Sequence, residues 1–274
     1  VSTASGAPDP LGADRPTGRI QHPGADRPRS PDAADPHPSH PGAAESAGTA
    51  EPTRLRGPGH TADPLTTAAA AAAGATVAAA LPWSFPPGGG ETSFDLAVNE
   101  QVDPRLDPRP WIAEVLALAT NTGVVLAVLC GGAAWFAWQR RWWETTTMVL
   151  VPETAVAINA WVLKPFWSRP LHDYLAYPSG HTVHLVAVVT TLILLLRSMR
   201  ARAVIVALTT VAWFGAGIGM IALDYHLATD VIGGAAAGIA LAIGLYWVAV
   251  SLARVPGARA GWTGPGPDCP YCRS

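Results

Sequence analysis

Two short stretches of this chain gather side chains that handle anions. The first reads Lys164-Pro-Phe-Trp-Ser-Arg169-Pro170 and, after a short interval, Tyr177-Pro178-Ser179-Gly180-His181. It offers two fixed cations, a glycine that permits close backbone approach, and a histidine where an apolar run begins. Backbone N–H groups at such a helix start add further donors. The second stretch holds His226 and Asp230. A spacing of four puts both on one helix face, so the carboxylate can bond one ring nitrogen and leave the other basic and nucleophilic. A lone lysine at the end of an apolar run is ordinarily a snorkelling anchor, and a lone histidine there is ordinarily structural. Two histidines, two cations and a carboxylate gathered together are harder to account for by packing and read as a functional cluster.

The elements that must carry these groups are membrane spans. Across 274 residues the composition is 49% hydrophobic and 14% charged with a net charge of −2, but that average hides two unlike parts. Residues 1–64 hold 12 of the 26 prolines and almost no large apolar side chains. Such a tail buries too little surface to offset its ordering entropy and is expected to be disordered. From Leu65 onward the chain is largely apolar, in runs near membrane-spanning length. Spans are expected at Leu65–Trp83, Ala117–Trp138, Thr145–Leu163 (broken by Pro152) and His181–Leu196. The region Ala203–Val250 is too long for one crossing, and the polar break from Asp224 to Asp230 divides it in two. The expected fold is therefore all-α, an integral membrane six-helix bundle over 65–252, with a C-terminal tail at 253–274. A soluble enzyme of average make-up, a nucleic-acid binder driven by bulk positive charge and a disulfide scaffold are excluded, the last because three cysteines cannot staple a chain of this size.

Basic residues orient the bundle. Arg54 and Arg56, Arg140 and Arg141, Arg197, Arg200 and Arg202, and Arg254 and Arg259 fall on one face of the six-span arrangement, which the positive-inside rule makes cytoplasmic. Both termini are then cytoplasmic. The segments 86–110, 164–180 and 224–230, with all the anion-handling groups, face the extracytoplasmic side of the cell membrane.

The order Lys…Arg-Pro, then Pro178-Ser-Gly-His181, then His226-x-x-x-Asp230, on outward loops of a six-helix protein, resembles the type 2 phosphatidic acid phosphatase superfamily. The resemblance covers about residues 65–252, and Pro178-Ser-Gly-His181 is its most specific element. It implies a membrane phosphatase acting on an isoprenoid or glycerolipid phosphate. By position, His226 would form a phospho-histidine, Asp230 would orient it, and His181 would protonate the leaving oxygen. Lys164, Arg169, Ser179 and Gly180 would hold the phosphoryl oxygens. No metal or other cofactor is required, because the cations stabilise the charge directly. The partners implied are the lipid phosphate and the membrane lipids, without nucleic acid.

The pattern departs from the family at two places. The usual first motif sets six residues between Lys and the Arg of Arg-Pro, where this chain has four; aligned without a gap, that Arg is Leu171. The usual third motif is Ser-Arg, five residues, then His, and those positions are Gly219 and Met220. One charged contact worth roughly 1.5–3 kcal/mol is thereby missing. The rival reading is a catalytically impaired membrane protein that binds lipid phosphates. A small transporter fits the intramembrane Glu153 but not the clustering on one face. Glu153 lies eleven residues, roughly 16 Å, inward from Lys164 and needs a partner or a proton, with Asn159 or tryptophan indoles as candidates and a relay or packing role open. Cys269-Pro-Tyr-Cys272 copies a redox dithiol motif without the scaffold that such motifs use, and Cys130 reads as packing.

Overall fold

The computed structural model describes residues 63–254, so the two tails, with the expected disorder of the first and Cys269-Pro-Tyr-Cys272 of the second, lie outside the described residues. The first helix, α1 (Pro64–Ala80), is built of alanine, the strongest helix former. Proline at its first position and Asp63, whose carboxylate accepts from the N–H groups of Leu65 and Thr66, fix its start. A 3₁₀ turn at Leu81–Ser84 ends it. The outer segment that follows is not a plain loop. It carries α2 (Ser93–Leu106), closed at its start by a reciprocal capping box between Thr92 and Asp95. No helical periodicity of apolar residues announces α2, because its apolar side chains do not form one stripe.

A short α3 (Pro110–Ala117) and a 3₁₀ turn lead through Asn121, whose extended backbone bends the chain, into α4 (Thr122–Trp138). Next comes α5 (Trp142–Ile158). Pro152 does not break it: the helix runs on through the proline, as membrane helices can when neighbours re-satisfy the freed carbonyl. A π-helical turn at Asn159–Leu163 joins α5 to the single turn α6 (Lys164–Trp167). Such wide turns are rare and are found disproportionately at functional sites. The loop beyond holds a two-residue ribbon, β1 (Pro170–Leu171) against β2 (Tyr174–Leu175), antiparallel with Leu171 opposite Tyr174. It is the one exception to the all-α expectation among the described residues. The last three helices are α7 (Gly180–Leu195), α8 (Met199–Ala222) and α9 (Ala228–Arg254). The expected polar break between the last two is a turn at 223–227.

Among the described residues, five helical segments are long and apolar enough to cross a membrane: Pro64–Ser84, Pro110–Trp138, Trp142–Trp167, Met199–Ala222 and Ala228–Arg254. The sixth expected span, α7, has 16 residues and a length of about 24 Å, short of the ~30 Å hydrocarbon layer. It packs against α4, α5, α8 and α9, and 11 of its residues are buried, so it is shielded from lipid and need not match the bilayer thickness. Small residues let α9 approach it: a Cβ at Gly234 would sit 2.7 Å from the Ser179 carbonyl oxygen. Phe136, Met148, Val188, Ile243 and Tyr246 form the core between α4, α5, α7 and α9. The outward faces carry exposed Leu208, Val211 and Phe214 on α8 and Trp161 beyond α5, an apolar surface that a bilayer covers. The molecule is a helical, multi-pass membrane protein.

Candidate active site

Lys164 emerges from the π-helical turn and donates to the Leu175 carbonyl, with its ammonium 6.0 Å from the Tyr174 ring centroid. Burial, with Asp230 as the next cause, raises the Tyr174 pKa, so that hydroxyl stays protonated and donates to the Tyr225 carbonyl. His181 opens α7, and no side chain caps that helix start. Its first N–H groups have no intrahelical acceptor. The His226 ring stands 6.1 Å from the His181 ring, centroid to centroid, and edge-on to it. Lys164, Gly180, His181 and His226 all line one cavity of about 610 Å³, whose walls also include Glu153, Asn159 and His184. Among the described lining residues, Lys164 is the only lysine or arginine.

The other expected site residues stand behind this wall. Ser179 is buried, its hydroxyl accepting from Thr182 at 3.2 Å and its N–H donating to the Asp230 carbonyl. Asp230 is fully buried in the first turn of α9. His226 precedes that helix, so a turn rather than helical spacing brings the two together. Their closest atoms, His226 Nδ1 and Asp230 Oδ2, are 3.9 Å apart, too far for a hydrogen bond, and Nδ1 has no other partner. Asp230 Oδ2 accepts the Leu227 N–H at 3.1 Å, which secures the start of α9.

Arg169 departs from its expected place among the phosphate ligands. It is 1% exposed, and all five of its N–H donors are engaged by the protein. Nε donates to the Gly89 carbonyl at 3.0 Å. One terminal nitrogen serves Thr229 Oγ1 at 2.6 Å and Asp230 Oδ1 at 2.8 Å, and the other serves the Gly90 carbonyl at 2.8 Å and Asp95 Oδ2 at 3.0 Å. Its guanidinium also lies 3.8 Å over the Phe85 ring. No donor is left for a phosphoryl oxygen. The physical reason is the pair of buried carboxylates, Asp95 and Asp230, that flank it.

Asp95 is not among the residues that the sequence pattern marks for the site. Its oxygens accept from Thr92, from Thr229 N–H at 2.8 Å and from Arg169. Burial works against its charge, but the hydrogen bonds from Thr92, Thr229 and Arg169 outweigh burial and hold the carboxyl below its usual pKa. The Thr92-x-x-Asp95 spacing is a recognisable capping box, yet nothing in it names Arg169 as a partner. The partner of Glu153 also differs from both candidates: it is His184, with Nε2 3.2 Å from Glu153 Oε1. His184 lies three residues after His181, a spacing that places both on one face of α7. Met220 is buried and its sulfur accepts from Thr120 Oγ1 at 3.6 Å, so no cation occupies the place of the third-motif arginine.

The family model of the PAP2 superfamily matches residues 59–253, which takes in every described helix up to the last turn of α9. The chain belongs to the PAP2 superfamily. No curated protein matches it. Among solved structures it is similar to the crystal structure of a transmembrane PAP2-type phosphatidylglycerolphosphate phosphatase from Bacillus subtilis, at 21% identity and a TM-score of 0.50. That similarity covers 68% of this chain and 94% of the other, and it concerns the fold. PAP2 membership and the helical architecture together support a membrane phosphatase that acts on phosphoric esters, with the cavity between His181 and His226 as its candidate active site.

Proposed function

We propose that this PAP2 protein removes phosphate from an isoprenoid or glycerolipid phosphate at the extracytoplasmic face of the cell membrane, with both termini in the cytoplasm. The observation that carries this reading is the placement of two histidines, edge to face, with Lys164 and an uncapped helix start around a single cavity. His226 Nε2 attacks phosphorus while the ester oxygen departs with a proton from His181. The product is a phospho-histidine and a free lipid alcohol. Water then attacks the phospho-histidine with His181 as base, which releases phosphate and restores both rings. Lys164 and the N–H groups at Gly180 and His181 meet the charge that develops on the phosphoryl oxygens. Catalytic hydrogen bonds are often long before substrate binds, and closure of His226 Nδ1 onto Asp230 orients the ring and stabilises its positive charge during attack.

In this mechanism Arg169 is a strut and not a phosphate ligand. It fixes Asp230 through one nitrogen and ties that carboxylate to Asp95 and to the glycine loop through the others. Ser179 serves the same end through its backbone bond to Asp230. The rival reading, a lipid-phosphate binder without turnover, draws on Met220 and on this inward commitment of Arg169.

Phosphate release by the purified chain from a panel of lipid phosphates tests the first reading against the second. Isotope-labelled substrate quenched in alkali traps phospho-histidine in the wild type. His226→Ala abolishes both turnover and label, and full activity in His226→Ala refutes the mechanism.

A further inference from the structure

Nδ1 of His226 has no hydrogen-bond partner and lies 3.9 Å from Asp230, so until that contact closes the carboxylate does not orient the imidazole. Two rings stand edge-on to it instead, His181 at 6.1 Å and Tyr174 at 6.2 Å between centroids. His181 is itself a reacting group, which leaves Tyr174 as the support. Tyr174 is fixed from two directions. Its hydroxyl donates to the carbonyl of Tyr225, the residue next to His226. Its backbone lies in β2, paired with β1 through Leu171, and just past that strand the Ala176 N–H donates to the Arg169 carbonyl at 2.9 Å. The ribbon is thereby rooted at the buried Arg169 strut. The same two-residue strand serves the cation. The Leu175 carbonyl accepts from Lys164, whose ammonium is 6.0 Å from the Tyr174 ring centroid. Tyr174 lines the cavity beside Lys164 and His226, so one strand sets the spacing of cation and nucleophile.

We propose that Tyr174 is a positioning residue for phosphoryl transfer: its hydroxyl, held on the Tyr225 carbonyl, and its ring, edge-on to His226, keep the imidazole aimed into the cavity before substrate arrives. This rests on the phosphatase reading above and adds a residue to its site. Attack on phosphorus requires the reacting nitrogen close and in line, and a misplacement of about 1 Å is costly. Tyr174 touches the nucleophile, the residue beside the nucleophile and the cation, so its loss is felt as a displaced His226 rather than as a void in the helical core. The hydroxyl contributes through the Tyr225 carbonyl and the ring through its edge-on contact, which is the favoured arrangement of an aromatic pair.

The test compares wild type, Tyr174→Phe and Tyr174→Ala as purified full chains in detergent, with a diacylglycerol phosphate and a polyprenyl monophosphate as substrates. Single-turnover rapid quench at saturating enzyme gives a rate constant that does not depend on how much of the protein is folded. A role in folding alone lowers the yield and leaves this constant unchanged. Tyr174→Phe keeps the ring, and if the alanine variant fails to fold it carries the test alone. It lowers the rate constant by about 2–10-fold, the equivalent of one neutral hydrogen bond, with steady-state KM little changed. Tyr174→Ala removes the ring contact as well and lowers it by about 10–100-fold in all. A wild-type rate constant in both variants, or a raised KM at an unchanged rate constant, overturns the proposal. If the wild type consumes neither substrate, the phosphatase reading fails, and the positioning claim is decided on His226 itself. Carbethoxylation by diethyl pyrocarbonate without substrate, mapped by mass spectrometry, reports the freedom of that buried ring. A faster reaction at His226 relative to His181 in Tyr174→Ala upholds the claim; an unchanged ratio overturns it.

Discussion

Replacement of Asp95 by asparagine isolates the buried row Asp95–Arg169–Asp230. Asparagine has the same shape, but one of its two terminal atoms becomes a donor. Every neighbour of the Asp95 carboxylate is itself a donor: Thr92 N–H and hydroxyl, Arg169, and Thr229 N–H and hydroxyl. Whichever way the amide turns, an N–H group faces an N–H group and Arg169 loses a counter-charge. Breaking a fully buried ion pair by removal of one partner costs about 3–5 kcal/mol, which for a chain of this size lowers Tm by roughly 6–20 °C. Thr92→Ala removes the cap alone and costs about 0.5–2 kcal/mol. Thermal unfolding of the two variants in detergent at neutral pH reads the difference. Equal losses in Asp95→Asn and Thr92→Ala would refute the claim that the contact with Arg169 contributes. Acid provides a second check. Because the folded Asp95 carboxyl is held below its ordinary value, its contribution is fully present above the unfolded pKa of about 3.9 and disappears as pH falls through the lowered one. The gap between wild type and Asp95→Asn therefore closes on acidification. In turnover, Asp95→Asn lowers kcat with KM little changed, since the row supports the nucleophile; a raised KM at constant kcat would mean that Arg169 grips phosphate after all.

His181→Ala slows formation of the phospho-histidine by about 10²–10⁴-fold, and more for poor leaving groups, as rapid-quench kinetics over a series of esters would show. Gly89→Ala is destabilising by more than ~1 kcal/mol in thermal unfolding, because Gly89 has φ +81° and an added Cβ would lie 2.6 Å from the Pro170 ring. Met220→Arg restores a cation beside His181, but Glu114 lines the same 200 Å³ cavity and would capture it. Phosphate-analogue affinity therefore rises by about tenfold or more only when Glu114→Gln accompanies it.

The spans were legible because a bilayer demands long apolar runs, and the break at Asp224–Asp230 because polar residues are costly inside hydrocarbon and so mark a turn or a site. The family motif located the cavity histidines and Lys164 as well. Local spacing could not tell which way Arg169 turns. Its partner Asp95 is 74 residues away in sequence and sits on a helix without apolar periodicity. Glu153 was recognisable as a misfit needing a partner, but residues three and four apart identify neighbours on one helix, and His184 is on another. The spacing of His226 and Asp230 pointed to the right neighbours for the wrong reason, since a turn and not a helix face joins them. The count of full-length crossings differed at α7 because a segment enclosed by other helices is not measured against the bilayer.

The inward turn of Arg169 also bears on how this PAP2 site tolerates its missing arginines. Leu171 and Met220 occupy two positions where the family pattern sets cations, and Arg169, which remains, is wholly engaged with the protein. In the proposed mechanism the charge near the phosphoryl group then comes from Lys164 and from the uncapped start of α7, neither of which requires another arginine. Behind His226 one guanidinium separates two carboxylates, so the formal charge of that row is negative and lies within a few ångströms of the ring that the proposed attack makes positive. In the proposed mechanism the electrostatic work thus shifts from gripping the substrate to supporting the nucleophile. On this division of roles, loss of a substrate-side cation weakens binding, while loss of Asp95 or Arg169 disables the histidine itself.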